Sequence, residues 1–331
     1  MHDGVRTNVH QLSGARQRTC PDPRRGRSIG VLSAVVLAVA VTVAIAAAPA
    51  TLEPQATFRR NVDLVNIGVT VAAENRRLIT DLRASDFAVY EDGRPQQISA
   101  FVSGSDAGPP LHVGVVLDVS GSMESTLAFT QGAVIKFLQS LPDAVDVTFI
   151  DFASEVRGAR YAQTDLPALV EDIRHLRADG GTALYDAISV YLDGASEQEG
   201  RKVMVLYTDG ADTDSSLSLK KLMKQLKASD ATVYAIGAFG DRLSSAQMPQ
   251  RAELAKISEA TGGTAFFPNS VQDLDRIYEQ VLREVRAQYT IGYVSTNERT
   301  DGAWRKVDIR ITRVDGKGLH VRARKGYYAR P

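Results

Sequence analysis

"LHVGVVLDVSGSMES", residues 111–125, decides the fold. Leu111 to Leu117 form an apolar run with the length of a strand buried on both faces. The run ends in Asp118 and a turn of small residues, Val119-Ser120-Gly121-Ser122. An acid at the end of a buried strand is costly unless it is paired or coordinates something. Three roles meet that requirement: a cap for the next helix, a catalytic group, or part of a metal site.

Outward from this stretch the pattern alternates. "VDVTFIDFA", "RKVMVLYTD" and "ATVYAIGAF" are further short apolar runs suited to buried strands. Helical stretches separate them. The first keeps Leu127, Val134, Phe137, Leu138 and Leu141 on one face; the others are "TALYDAISVYLDGA", "SLSLKKLMKQLKASD", "QRAELAKISEAT" and "VQDLDRIYEQVLREV". Strand–helix alternation over residues 111–286 predicts an α/β fold with a doubly wound, mainly parallel sheet.

Both flanks read as strands. Residues 58–102 include the β-branched "VDLVNIGVTVAA" and "FAVYEDGRPQQISAF", where Asp92-Gly93 marks a hairpin. "SGSDAGPP", residues 103–110, marks a boundary. Residues 287–331 hold "QYTIGYVS", "RKVDIRITRV" and "LHVRARKGYY". Alone, each flank has only about three strands, near the lower limit for independent stability. They are therefore expected to pair into one discontinuous β-sandwich into which the α/β domain is inserted.

The 331 residues balance at zero formal charge, 44% hydrophobic and 24% charged. Residues 1–28 carry six arginines against two acids, which leaves the remainder at −4 and gives no support to a nucleic-acid partner. Ile29 to Ala48, "IGVLSAVVLAVAVTVAIAAA", has no charge and follows "RRGRSIG", so it reads as an export or membrane signal behind a basic cytoplasmic leader. Its length favours a membrane anchor, whereas "AAAPA" suits cleavage after Ala50. Either way, everything after Thr51 is placed in the cell envelope: anchored in the inner membrane and facing outward, or secreted. The single cysteine, Cys20, precedes the apolar segment, so the exported part has neither a disulfide nor a thiol nucleophile.

Ligands of open α/β sheets sit at the carboxyl ends of the strands. Three loops there carry oxygen side chains: Asp118 to Ser122, Gly180-Gly181-Thr182, and Thr208-Asp209-Gly210. The carboxylates of Asp118 and Asp209 with the hydroxyls of Ser120, Ser122 and Thr182 suit a hard divalent cation, magnesium first, with manganese or calcium as alternatives. For that loop alone, a helix cap at Asp118, Ser120 and Ser122 is an equal alternative to a metal site.

"DVSGS" with Thr182 and Asp209 resembles the metal-ion-dependent adhesion site of the von Willebrand factor type A family, over about residues 111–286. The resemblance implies that Ser120, Ser122 and Thr182 hold the metal directly, that Asp118 and Asp209 act directly or through water, and that a partner's carboxylate completes the sphere. It also implies coupling of capture to movement of the last helix, about 270–286. The flanks, "LITDLRASDFAVYEDGRPQQISAF" and "YTIGYVS…RKVDIRITR…VRARKGYYA", are similar to a bacterial subfamily of von Willebrand-related proteins described first from Acidobacteria.

Asp186, one helical turn from Thr182, and Asp151, at the close of a strand, read as structural or as supports behind the ligands. Asp212 and Asp214 read as a solvated rim. Nine basic residues lie between Arg305 and Arg330, and the alternation in "VRAR" puts Arg322 and Arg324 on one face. That face is either solvated or a contact for anionic polymer or lipid.

The five histidines show no paired spacing, and there is no GxSxG elbow, P-loop or dinucleotide motif. The resemblance implies that the chain binds a protein partner through an acidic side chain and is not an enzyme. Its competitors are a metal-dependent hydrolase, which needs a general base besides Asp118 and Asp209, and an envelope scaffold that needs no metal.

Overall fold

The computed structural model describes residues 64–104, 108–141, 143–209, 211–237, 248–313 and 318–329. The leader, the apolar segment 29–48, Gly210 and most of the loop 239–248 lie outside these residues. Among the described residues no helix is long and apolar enough to cross a membrane.

Four strands come first: β1 (Leu64–Ala73), β2 (Phe87–Glu91), β3 (Arg94–Gln96) and β4 (Ile98–Val102). Six follow in the centre: β5 (Leu111–Asp118), β6 (Ala144–Phe152), β7 (Val156–Ala162), β8 (Arg201–Tyr207), β9 (Thr232–Ile236) and β10 (Ala265–Phe266). Four close the chain: β11 (Tyr289–Val294), β12 (Trp304–Ile311), β13 (Leu319–Ala323) and β14 (Gly326–Tyr328). The helices are α1 (Leu127–Gln139), α2 (Leu166–His175), α3 (Leu184–Ser196), α4 (Leu219–Ala228), α5 (Met248–Ala260) and α6 (Val271–Ala287).

The central strands make one sheet in the order β10-β9-β8-β5-β6-β7, parallel except for the edge strand β7. Alternate residues of β5 serve opposite faces. Val113, Val115 and Leu117 pack with Val134, Phe137 and Leu138 of α1 and with Tyr278 and Val281 of α6. Val116 joins Met204 and Leu206 of β8 against Ile188 and Tyr191 of α3, Leu222 and Leu226 of α4, and Ile257 of α5. With both faces covered, these strands need continuous apolar sequence, which is why they read so clearly. The order reverses between β5 and β8, so the crevice at their carboxyl ends is the topological switch point, where doubly wound sheets bind ligands.

The flanking strands form two antiparallel sheets, β13-β1-β11-β4 and β14-β12-β2-β3, and each contains strands from both ends of the chain. One apolar core fills the space between them, with Ile67, Val69, Val89, Ile291, Val307 and Ile309 among its members. Asp92 (φ 48) and Gly93 (φ 80) make the two-residue turn between β2 and β3, both in the left-handed region that such a hairpin requires. Glu91, 2% exposed, accepts hydrogen bonds from the hydroxyls of Tyr293 (2.8 Å), Tyr327 (2.8 Å) and Ser295 (2.6 Å), which ties β2 to β11 and β14 inside this sandwich.

The pair Arg322 and Arg324 departs from its expected role as a free cationic face. Both turn toward the α/β body. The Arg322 guanidinium pairs with the buried carboxylate of Glu284 on α6, and its Nε donates to the Gly262 carbonyl at 3.1 Å. Arg324 donates to the carbonyls of Ser229 (3.2 Å) and Asn66 (2.7 Å), and burial lowers its pKa. They tie the sandwich to the domain inserted in it.

Candidate functional site

Asp118 ends β5 at 0% exposure, and its carboxylate is held from two sides. The Ser120 backbone N–H donates to Oδ1 at 2.8 Å, and the Thr208 hydroxyl, at the end of β8, donates to Oδ2 at 2.6 Å. Burial pushes the Asp118 carboxyl above its ordinary range. The bonds from Ser120 and Thr208 oppose that shift, and the nearby charge of Asp209 adds to it. Among the described residues, no lysine or arginine forms an ion pair with Asp118 or Asp209. Two neighbouring acids, one fully buried, thus lack a protein cation among the described residues.

Two serine hydroxyls meet beside Asp209. After Ser120 the chain enters a 3-10 turn, Gly121–Ser125, which brings the Ser120 and Ser122 Oγ atoms to 3.1 Å from each other. Ser122 Oγ in turn donates to Asp209 Oδ1 at 2.6 Å. Adjacent ligands of an octahedral ion with bonds of about 2.1 Å lie about 3 Å apart. The oxygen spacing and the uncompensated acids both fit a divalent cation. Among the described residues, no group of three or more His, Cys, Asp or Glu side chains is placed to hold a metal, so a cation here relies on hydroxyls as well as carboxylates.

Thr182, 5% exposed, is fixed by its backbone: its N–H donates to Thr213 Oγ1 at 2.9 Å, and its carbonyl accepts from the N–H groups of Thr213 and Asp214. The first loop is bolted to the second by Gly121 N–H to the Gly180 carbonyl (3.0 Å) and Asp179 N–H to the Val119 carbonyl (2.9 Å). Gly180 has φ +77, which favours glycine, and a Cβ on Gly181 would sit 2.2 Å from Oδ2 of the exposed Asp214 side chain, which would have to turn aside.

Asp186 accepts from the N–H groups of Ser216 (2.8 Å) and Leu217 (3.0 Å), so it holds the segment that follows Asp209. Asp151 accepts from Arg157 Nε at 2.9 Å across the β6–β7 pair. Asp212 accepts from the Tyr185 N–H at the start of α3, and Asp214 from the Ser154 hydroxyl at 2.6 Å. Both rim acids therefore have fixed partners. Thr208, Thr213 and Ser154 were not singled out as individual supports by sequence reading. Only Thr208, adjacent to Asp209, carried a local signal. A small pocket lined by Met123, Thr126, Thr130, Tyr207 and Leu274 opens beside Asp209, between α1 and the first turn of α6.

The family model for the von Willebrand factor type A domain matches residues 112–280. No curated protein shows significant similarity to the chain. Solved structures similar to it include a von Willebrand factor type A protein from Catenulispora acidiphila, at 15% identity and TM-score 0.48, covering 82% of this chain and 75% of that one. Another is an aerotolerance-related membrane protein from Bacteroides fragilis, at 17% identity and TM-score 0.44, covering 53% and 98%. A third is proximal thread matrix protein 1 from the mussel byssus with a zinc-occupied MIDAS motif, at 20% identity and TM-score 0.43, covering 58% and 48%.

Proposed function

Because the chain belongs to the von Willebrand factor type A domain family, whose members are typically interaction modules and not enzymes, we propose that it is a bacterial envelope protein that captures an acidic side chain of a protein partner through a divalent cation. Asp118, Ser120, Ser122, Thr182 and Asp209 would hold that cation, with magnesium as the first choice. When bound, the ion supplies positive charge at an open coordination position, to which a partner's carboxylate is attracted.

The observation that carries this reading is the chain of oxygen atoms from Ser120 to Ser122 to Asp209, at 3.1 and 2.6 Å, beside a buried Asp118 that has no protein cation among the described residues. The protein's own part is positioning. Thr208 orients the Asp118 carboxylate, the Gly180–Gly181 segment lets the second loop close on the first, and Asp186 holds residues 216 and 217. Residues 211–217 and the loop 239–248 would select the partner. Export or anchoring through residues 29–48 would place the site outside the cytoplasm.

The test is capture of partners from envelope extract on the immobilised protein, in magnesium and in chelator, with Asp209→Ala as control. The reading predicts a protein retained only by the unsubstituted chain in magnesium. Equal retention in all three conditions would favour a scaffold that uses no metal.

A further inference from the structure

Helix α4 carries Lys220, Lys221, Lys224 and Lys227, all exposed, while Leu222 and Leu226 are buried against the α/β core. At 100° per residue the four lysines fall on one outward face. Among the described residues none of them is in an ion pair, and α4 contains no acid. Asp230, two residues beyond the helix, is taken up by Lys202, and Asp301 by Arg305. The helix face itself is therefore a concentrated positive charge, while the cleft at its end is also lined by Glu197, Glu199 and Glu298.

Two aromatic residues of the sandwich lie against it. Lys224 Nζ stands 5.9 Å from the Tyr328 ring centre and Lys227 Nζ 5.6 Å from that of Trp304, and the two rings meet edge to face at 5.1 Å. Trp304 and Tyr328 are both only part buried. Lysines beside half-exposed tryptophan and tyrosine are the composition found where proteins meet a lipid–water interface.

The entry of the chain favours lipid over a soluble polymer. Tyr328 and Ala228, at the end of α4, line the same cleft as Leu64, where the described chain begins. Leu64 pairs with Val294, and both are exposed apolar residues, at 42% and 38%. Fifteen residues separate Leu64 from Ala48, the end of the apolar segment; fully extended they reach at most about 50 Å. We propose that the lysine face of α4, with Trp304 and Tyr328, docks on an anionic phospholipid surface. Access to that surface rests on the reading of residues 29–48 as an export or membrane segment.

Trp304 is the only tryptophan of the chain and so reports on this face directly. The full chain is reconstituted with vesicles of phosphatidylcholine, with or without phosphatidylglycerol, each doped with brominated lipid that quenches nearby indole. Flotation with neutral vesicles tests the membrane segment separately. The docking proposal predicts a docked-to-undocked ratio, read from Trp304 quenching, that is at least about fivefold greater with phosphatidylglycerol, because a single lysine near an anionic surface is worth about that factor. High salt and the variant Lys220→Gln/Lys221→Gln/Lys224→Gln/Lys227→Gln should both return it to the neutral level. Lys220→Gln/Lys221→Gln, which leaves both aromatic contacts intact, should lose at least half of the difference and guards against a folding effect. Equal quenching in both vesicle types overturns the proposal. So does a dextran sulfate-induced change in Trp304 emission without bromine quenching, which would point to a soluble polyanion.

Discussion

The hydroxyl of Ser122 donates to Asp209 Oδ1 at 2.6 Å across 87 residues of sequence, from the first loop of the sheet crevice to the third. This bond occupies an oxygen that the proposed cation would share, so substituting either partner separates metal binding from folding. Asp209→Ala is expected to leave the metal-free melting temperature within a few degrees, since it removes one hydrogen bond but also a like charge beside Asp118. Magnesium at about one hundred times its dissociation constant should stabilise the unsubstituted chain by about 2.7 kcal/mol and leave Asp209→Ala unchanged. Thermal melts with and without magnesium decide this, and a magnesium shift that survives in Asp209→Ala would remove Asp209 from the ligand set.

Gly181 offers a test through packing and not through a ligand. Its missing Cβ would lie 2.2 Å from Asp214 Oδ2, and Asp214 is held by Ser154. Gly181→Ala should push the exposed Asp214 carboxylate off Ser154, cost about 1 kcal/mol for that lost bond, and weaken magnesium binding by loosening the loop that carries Thr182. Titration calorimetry measures the affinity. Normal affinity in a destabilised Gly181→Ala protein would show that Thr182 does not need this loop closure.

The parts of the fold that were legible in the sequence are those where one requirement dominates. β5, β8 and β9 are buried on both faces and read as unbroken apolar runs, and Asp92-Gly93 announces a turn that needs two positive φ values. β7 (Val156–Ala162) escaped, because an exposed edge strand with Arg157 and Arg160 has neither an apolar run nor clean alternation. The site loops were legible from residue type and order. Ser154 and Thr213 were not, because they act across distant loops, and nothing local distinguishes them from solvated residues. Arg322 and Arg324 show the same limit: strand alternation gave their shared face, but only tertiary packing decides that it meets α6 and not water.

The buried knot around Glu91 predicts sensitivity to alkali. The Tyr327 hydroxyl is pushed up to about 12, chiefly by burial and further by Glu91, and Tyr293 is raised beyond it for the same reasons. An unfolded tyrosine titrates near pH ~10. Above that value the unfolded chain loses a proton that the folded chain keeps, so this contribution is complete below about pH 10 and is lost as pH rises toward about 12. Melting temperatures should fall across this window. Tyr327→Phe should cost about 1.5 kcal/mol at neutral pH, because a charged acceptor loses one donor, while showing a shallower alkaline decline. An unchanged slope in that variant would place the sensitivity at other buried tyrosines.

The pair between Glu284 on α6 and Arg322 on β13 joins the last helix of the inserted domain to the sandwich. Glu284 is 3% exposed and also accepts a hydrogen bond from Gln280 Nε2 at 3.2 Å. Arg322→Ala leaves that carboxylate buried without its cation and should destabilise the protein by about 3 kcal/mol. Glu284→Gln/Arg322→Met removes both charges and should recover most of the loss. The pair also bears on coupling, since α6 begins beside the pocket next to Asp209 and continues into β11. If α6 moves when the site is filled, magnesium with partner should change amide exchange in β11 and β13 of the unsubstituted chain, and the change in β13 should be lost in the double variant. Exchange that responds in α6 alone, in both proteins, would show that the sandwich is a passive frame.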